Sequence, residues 1–541
     1  MSTEIADVAT AARSIRNPVL TGFHPDPSIL RVGDDFYLAT STFEWYPGVR
    51  VHHSRDLVHW RALGGIITER RLLDLHGCGD SNGVWAPDLS YHDGLFHLVY
   101  SDVASFASGY WDPQNYLTTA PDIAGPWSDP VSLHAHGFDA SLFHDTDGSS
   151  WLLSMSADWR PGRDRFGGIE IQRYDRERRE LVGRAQVIFR GTAAGLTEGP
   201  HLYRRDGWYW LVTAEGGTSW EHQVTVARSR HLHGPYEVDP NGPLLTSVGR
   251  PELRLQKAGH GSLVQTQHGD WYLAHLVGRP YGRRGNCVLG RETAIQRVDW
   301  PAGDWPRIPG GVPADEIAAP DLPAHPWPDE PDTDHFDAPE LGTCWSTLRR
   351  PATPDWLDLR ARPSHLRVHG GQSPVGRQRP SLVARRVGAE RCSLETVVEF
   401  DPVDHRHLAG VTAYYNTLNW HYLYLTRDDD DRVVLELLSS DSGRRKSHPE
   451  LTVDVGAARR VGLRAAFEGP VVRFSYDLGD GWRELPVELD ATILSDEHAA
   501  LIIDGEPAAW GFTGAFLGLW VQDLGNDGVH ADFDHATYLE H

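Results

Sequence analysis

RDGWYWLVT, residues 205–213, is a tight turn running into an aromatic-rich strand, and the pattern occurs four more times: GDDFYLAT (33–40), HDGLFHLVY (92–100), TDGSSWLLS (146–154) and HGDWYLAH (268–275). Successive copies lie about 55–60 residues apart, and each is followed by a second strand, such as VRVHHS after the first and VTVARS after the fourth. Short apolar runs bounded by Asp and Gly turns read as hairpin strands, and helical periodicity is nearly absent. Five similar β-meanders predict an all-β chain whose first part is a five-bladed β-propeller, each sheet burying its faces against its neighbours. A β-sandwich with coincidental hairpins is the plainer alternative, and five evenly spaced copies argue against it.

A polar residue stands just upstream of each copy: Asp26 (HPDPSIL), Asp88 (WAPDLSY), Asp139 (FDASLFH), Glu198 (EGPHLY) and His260 (GHGSLVQ). The first strand of each propeller blade lines the central channel, so all five are expected to converge at one end of it. Four carboxyls and an imidazole in one pit are unfavourable unless they carry out chemistry. Asp26 sits between two prolines, which predicts a rigid, extended backbone aiming one carboxylate; the alternative is an ordinary turn residue. Asp88 reads equally as a turn cap or as a residue orienting a neighbour. His52 and His53, adjacent on a strand, point to opposite faces and suggest no metal site.

The chain has 541 residues, enough for two or more domains. Its net charge of −24 lacks the basic stripe that nucleic-acid binding requires. The four cysteines show neither metal-ligand spacing nor a disulfide framework. No apolar run is long enough to span a bilayer, and the opening MSTEIADVATAARSIRNPVL carries early acids and no apolar core, so a cytoplasmic protein is expected. Twenty Trp suit an all-β repeat fold and a sugar-binding cleft.

Residues 15–310 are assigned to the propeller. Residues 311–334 are rich in Pro and acid, reading as a stiff connector. From 335 to 541, short alternating segments such as SLETVVEF, WHYLYLTRD, RVVLELLSS and GAFLGLWVQD predict a two-sheet β-sandwich. Taken alone, that domain suggests a carbohydrate-binding module.

The motifs NPVLTGFHPDPSILRVGDDFYLATSTFEWYPGV, VWAPDLSYHDG, GFDASLFHD, LTEGPHLY, AGHGSLVQTQHGDWYLAH and LGRETAIQ, continuing into GFTGAFLGLWVQD, closely resemble glycoside hydrolase family 43, in its β-xylosidase branch. The resemblance covers nearly the whole chain and implies a five-bladed propeller with an appended sandwich, hydrolysing glycosides with inversion. It implies Asp26 as general base, Glu198 as general acid, and Asp139 as the residue that positions the acid and tunes its pKa. Phe43 and Trp85 would flank the sugar, Arg291 would bind its hydroxyls, and His260 would lie at the pocket floor. A loop from the sandwich, DGEPAAWGFTGAF, would place Phe512 over the pocket, closing one end so that only terminal residues are removed. The stretch RPYGRRGNCVLGRET is shorter than its counterpart in relatives, which leaves the width of the mouth open.

Other readings of these residues stay open. Phe43 and Trp85 are alternatively blade packing, Arg291 an ion-pair partner of Glu292, Phe512 a sandwich core residue, and His260 a core histidine or a neighbour of a Ca2+ ion in the channel. No cofactor is required for the chemistry, and no metal is assigned to the site residues. Inverting hydrolysis needs an acid and a base on opposite faces of the sugar, roughly 6.5–9.5 Å apart. Burial and a neighbouring ionised Asp139 would keep Glu198 protonated. The expected activity is removal of terminal β-1,4-linked xylose from xylooligosaccharides. The rivals are an α-L-arabinofuranosidase, an enzyme with both activities, and a non-catalytic sugar-binding propeller. The resemblance also implies a homo-oligomer, dimer or tetramer.

Overall fold

The computed structural model describes residues 13–106, 110–503 and 506–541; most of the N-terminal stretch read above for a leader, and residues 504 and 505 of the DGEPAAWGFTGAF loop, lie outside them. Five antiparallel sheets form the propeller. Their innermost strands are Ser28–Val32, Gly83–His92, Ser141–His144, Glu198–Arg205 and Gln256–Gln265. Four of the repeated turn-and-strand motifs end on the second strands Asp35–Thr40, Leu95–Ser105, Ser150–Ala157 and Trp208–Glu215, and the last on Trp271–Gly278. Between the first two strands of blade IV, Asp206 and Gly207 both have positive φ (52° and 73°). That pair of left-handed residues is what a two-residue hairpin following the sheet's twist needs.

Blades pack through aromatic and aliphatic faces. Trp210 of blade IV meets Trp300 and Trp305 edge-on, at 5.2 and 5.4 Å between centroids. Phe36 and Leu38 of blade I pack in one cluster with Tyr272 and Ile295 of blade V. The N-terminal segment closes the ring. Ser14–Arg16 pairs with Glu316–Ala318, Leu20 bridges Thr293, and the Asn17 side chain exchanges two 2.8 Å hydrogen bonds with the Ile295 backbone. The connector is therefore held to the propeller, and at its far end Thr333–Asp334 pairs with the last strand of the chain.

The C-terminal domain is a sandwich of two large antiparallel sheets around a core that includes Leu394, Phe467 and Phe474 on one side and Val411, Leu423 and Leu519 on the other. One sheet does not stop at the domain boundary. Its strand Trp345–Leu348 pairs with Trp45–Tyr46 of the propeller, and Trp45 stacks on Phe516 at 3.9 Å. Nearby Arg349 is fully buried, 2.6 Å from Asp80 and 3.9 Å from Glu44, both in the propeller. Two domains joined by shared strand pairing and a buried ionic cluster hold a fixed orientation, which matters because the site draws on both. Among the described residues, no helix is long and apolar enough to cross a membrane.

Candidate active site

One backbone feature recurs just before or within each innermost strand. Asp26, Ala86, Asp139, Gly199 and His260 all have positive φ, between 32° and 56°. Strand register slips at this point in blades II, IV and V. The Asp26 backbone is thus left-handed, not extended as its two prolines predict. A non-glycine residue in that region costs on the order of 1–3 kcal/mol and persists only where its surroundings hold it. Here they do: the Asp26 carboxylate accepts from Ser41 Oγ (2.7 Å) and Arg291 (3.3 Å), with His260 Nδ1 at 3.5 Å.

The same alignment corrects the assignment of five equivalent residues. Asp26, Asp139 and His260 occupy one position of the repeat. Glu198 stands one residue earlier, matching Trp85, and Asp88 stands two later, matching Ser28, Ser141, His201 and Ser262. Asp88 accordingly faces the central channel. It accepts from Ser28 Oγ (3.1 Å) and the Leu142 N–H (2.9 Å) and lies 3.5 Å from His201. Of these five residues, the pit therefore holds three carboxyls and a histidine, without Asp88.

A cavity of about 570 Å³ gathers Asp26, Phe43, Trp85, Asp139, Glu198, His260, Arg291 and Phe512. Arg291 does not pair with Glu292, whose carboxylate is taken by Arg279 (2.6 and 2.7 Å). It donates instead to Asp26, to Thr218 Oγ1 (2.9 Å) and to the Phe512 carbonyl (3.0 Å), with its guanidinium 4.8 Å from the Phe512 ring centroid. Phe512 leaves the sandwich core: it meets Trp85 edge-on at 5.3 Å and stacks on Trp510 at 5.3 Å. Trp85 is steered by its indole N–H bond to the Ser81 carbonyl (3.0 Å). Gly199 lets His260 approach, since a Cβ there would meet His260 Nε2 at 2.9 Å.

Sequence reasoning missed the outer walls, Phe106, Trp111, Phe138, Phe166 and Trp510. Two of them adjoin residues it did select: Phe138 precedes Asp139, and Trp510 stands two before Phe512. It also missed Ser41, which bonds Asp26. Around His260, no trio of His, Cys, Asp or Glu ligands forms among the described residues.

Electrostatics separate the carboxyls. Burial works to raise Asp26, but Arg291, His260 and the Ser41 hydroxyl more than offset it, and its pKa falls below the ordinary value. Burial, then the charge of Asp26, raises Asp139; burial, then the charges of Asp139 and Asp26, raises Glu198 as well. His260 is lowered to about 4, chiefly by burial, and is neutral at pH 7. The site thus offers one ionised carboxylate beside Arg291 and a second carboxyl that keeps its proton near neutrality. That combination suits general acid–base chemistry on a neutral substrate.

The family model described as "Glycosyl hydrolases family 43" matches residues 15–306, and one described as "Beta xylosidase C-terminal Concanavalin A-like domain" matches residues 333–539. A xylan 1,3-beta-xylosidase from Vibrio sp is 44% identical over 98% of this chain and 99% of its own. A xylosidase/arabinosidase from Humicola insolens is 42% identical over 97% of each. The crystal structure of a xylan beta-1,4-xylosidase from Bacillus halodurans C-125 superposes with a TM-score of 0.93 at 47% identity, covering 97% of this chain and all of that one.

Proposed function

The chain belongs to glycosyl hydrolase family 43, and from that premise we propose that its cavity removes single β-linked xylose residues from the non-reducing end of xylooligosaccharides, with inversion. The observation that carries this reading is the gathering of Asp26, Glu198 and Asp139 in one aromatic-walled cavity, with Arg291 beside Asp26.

In this reading the terminal xylose lies against Phe43, Trp85 and Phe512. Ionised Asp26, held by Ser41 and Arg291, takes a proton from water as that water attacks the anomeric carbon. Glu198 gives its proton to the departing glycosidic oxygen from the other face. Asp139 raises the acid through its charge and fixes the acid's strand by accepting the Gly199 N–H (3.1 Å). Fixed positioning matters because a small displacement of the base or its water lowers the rate steeply. Phe512, reaching over from the sandwich, supports release of terminal units rather than mid-chain cleavage.

The linkage we favour is β-1,4, in keeping with the similarity to the xylan beta-1,4-xylosidase structure from Bacillus halodurans C-125. Relatives of nearly equal similarity bear the names 1,3-xylosidase and xylosidase/arabinosidase, so an arabinofuranosidase activity on the same pocket is the second reading. Rates on β-1,4-xylobiose, β-1,3-xylobiose and the nitrophenyl β-xyloside and α-arabinofuranoside test this. The proposal expects the highest kcat/KM on the 1,4-linked xyloside; faster turnover of the arabinofuranoside would replace it with the second reading. Cytoplasmic residence and assembly into dimers or tetramers belong to the same proposal, the latter tested by light scattering.

A further inference from the structure

Blade III carries a side-chain cluster for which the sugar chemistry has no use. His134 and His136 are alternate residues of the segment leading into Asp139, and their rings stack with centroids 4.2 Å apart. Glu170, on the strand Phe166–Asp175, faces them from the body of the blade, and its carboxylate pairs with His136 Nε2. One nitrogen from each histidine and one Glu170 oxygen lie within 4.8 Å of one another.

The cluster is built rather than incidental. Asn115 and Gln114 side chains donate to the His134 carbonyl (3.1 and 3.2 Å), and the Ala157 N–H donates to the His136 carbonyl (2.9 Å). Ser154 Oγ bonds His134 Nε2 at 3.1 Å, and Ser154 is the strand partner of Glu170. Glu170 is buried at 7% exposure, while the His136 side chain is 38% exposed, so the group opens to solvent on the histidine side. None of the three residues lines the sugar cavity.

We propose that His134, His136 and Glu170 form a binding site for one divalent transition-metal ion of the zinc class on blade III. Two imidazoles and one carboxylate are the borderline donors such ions prefer, with room for a water as fourth ligand. Calcium and magnesium favour all-oxygen shells and are disfavoured here. An ion at this site ties the segment ending in Phe138 and Asp139 to the strand that begins with Phe166, and both phenylalanines line the cavity. The other cluster of this kind among the described residues, His407, Asp523 and Asp527, has one imidazole and is tied more closely into its own turn. Asp523 accepts three backbone N–H groups of its own turn (2.7–3.2 Å), and His407 Nδ1 accepts from the Val403 N–H (3.1 Å).

The test uses the metal-stripped full-length protein. Calorimetric titration with zinc chloride is expected to show one tight equivalent, calcium chloride none, and zinc is expected to raise the thermal midpoint. Cobalt(II) is expected to give the intense visible absorption of a four-coordinate site. His136→Gln and Glu170→Gln are each expected to weaken zinc at least about tenfold, with His407→Gln unchanged. Should His136→Gln fail to fold, the near-isosteric Glu170→Gln decides alone. A wild type that takes up no zinc, zinc uptake that survives both substitutions, or uptake lost only in His407→Gln would each overturn the proposal.

Discussion

Asp139 accepts the backbone N–H of Gly199 at 3.1 Å, which fixes the blade III carboxylate to the residue beside Glu198 of blade IV. That bond favours ionised Asp139, whereas no described group donates to the Glu198 carboxyl. Burial and mutual repulsion raise both groups, and the bond from Gly199 favours the charged form of Asp139. For the proposed helper role of Asp139, the physical cause would have two parts, charge and anchoring.

Asp139→Asn removes the charge and keeps an oxygen for Gly199. Glu198 then loses its proton at lower pH, and the alkaline limb of the kcat/KM profile moves toward acid, about one pH unit for each 1.4 kcal/mol of repulsion removed. A profile on xylobiose whose alkaline limb stays in place would contradict this.

Glu198→Gln removes the proposed proton donor. Turnover of xylobiose, whose leaving group is a sugar hydroxyl, is expected to fall about 10²–10⁴-fold. A nitrophenyl xyloside, whose leaving group departs without full protonation, is expected to lose much less. Equal losses on the two substrates would count against Glu198 as the acid.

The same variant makes a stability prediction. A carboxyl whose folded-state pKa lies above its unfolded value binds its proton more tightly when folded, so its ionisation erodes stability as pH rises above the ordinary carboxyl range. Glu198 is shifted in that direction by burial and by its neighbours. Neutral Gln escapes the penalty. Thermal midpoints for Glu198→Gln relative to the parent are expected to be similar near pH 4.5 and higher near pH 8. A difference independent of pH would show that Glu198 is not held protonated.

Arg349→Met tests the joint between the domains. Arg349 is fully buried against Asp80 (2.6 Å) and the Cys78 carbonyl (2.6 Å). Burial works to raise Asp80, but Arg349 and its hydrogen-bond partners more than offset it, leaving its pKa depressed. Removing one member of a buried ionic cluster costs about 3–5 kcal/mol at neutral pH. Because a depressed carboxyl lends stability that is fully present above its unfolded pKa and is lost only as pH falls below it, the loss is expected to persist down to about pH 4 and to shrink toward about pH 2.5. Denaturation midpoints at neutral pH and near about pH 2.5 measure this, and a loss of equal size at both would show that charge is not the cause.

The propeller was legible because its signal repeats. Turns with Asp and Gly followed by aromatic strands recur five times, and each copy maps to the first hairpin of a blade. The site was legible as a set of residues upstream of those copies, but not in its local geometry. Reasoning from prolines gave Asp26 an extended backbone, because local preference says nothing of the hydrogen bonds that hold it left-handed. Counting residues made Asp88 an equivalent of Asp26, because the register slip beside the left-handed Ala86 is invisible in spacing. In the sandwich the strand His530–Glu540 escaped notice, since Ala531, Asp532 and Phe533 are all buried and a bulge beside Val398 breaks its alternation. The two-residue strand Trp45–Tyr46 is too short to show any period and is defined by its partner 300 residues away.

The central claim is that Asp26 and Glu198 act from opposite faces of one xylose unit. Proton NMR of the first sugar released from xylobiose, recorded before mutarotation, tests it most directly. The account predicts that α-xylose appears first and that Asp26→Ala abolishes its appearance. Initial release of β-xylose, or undiminished release by Asp26→Ala, would contradict it.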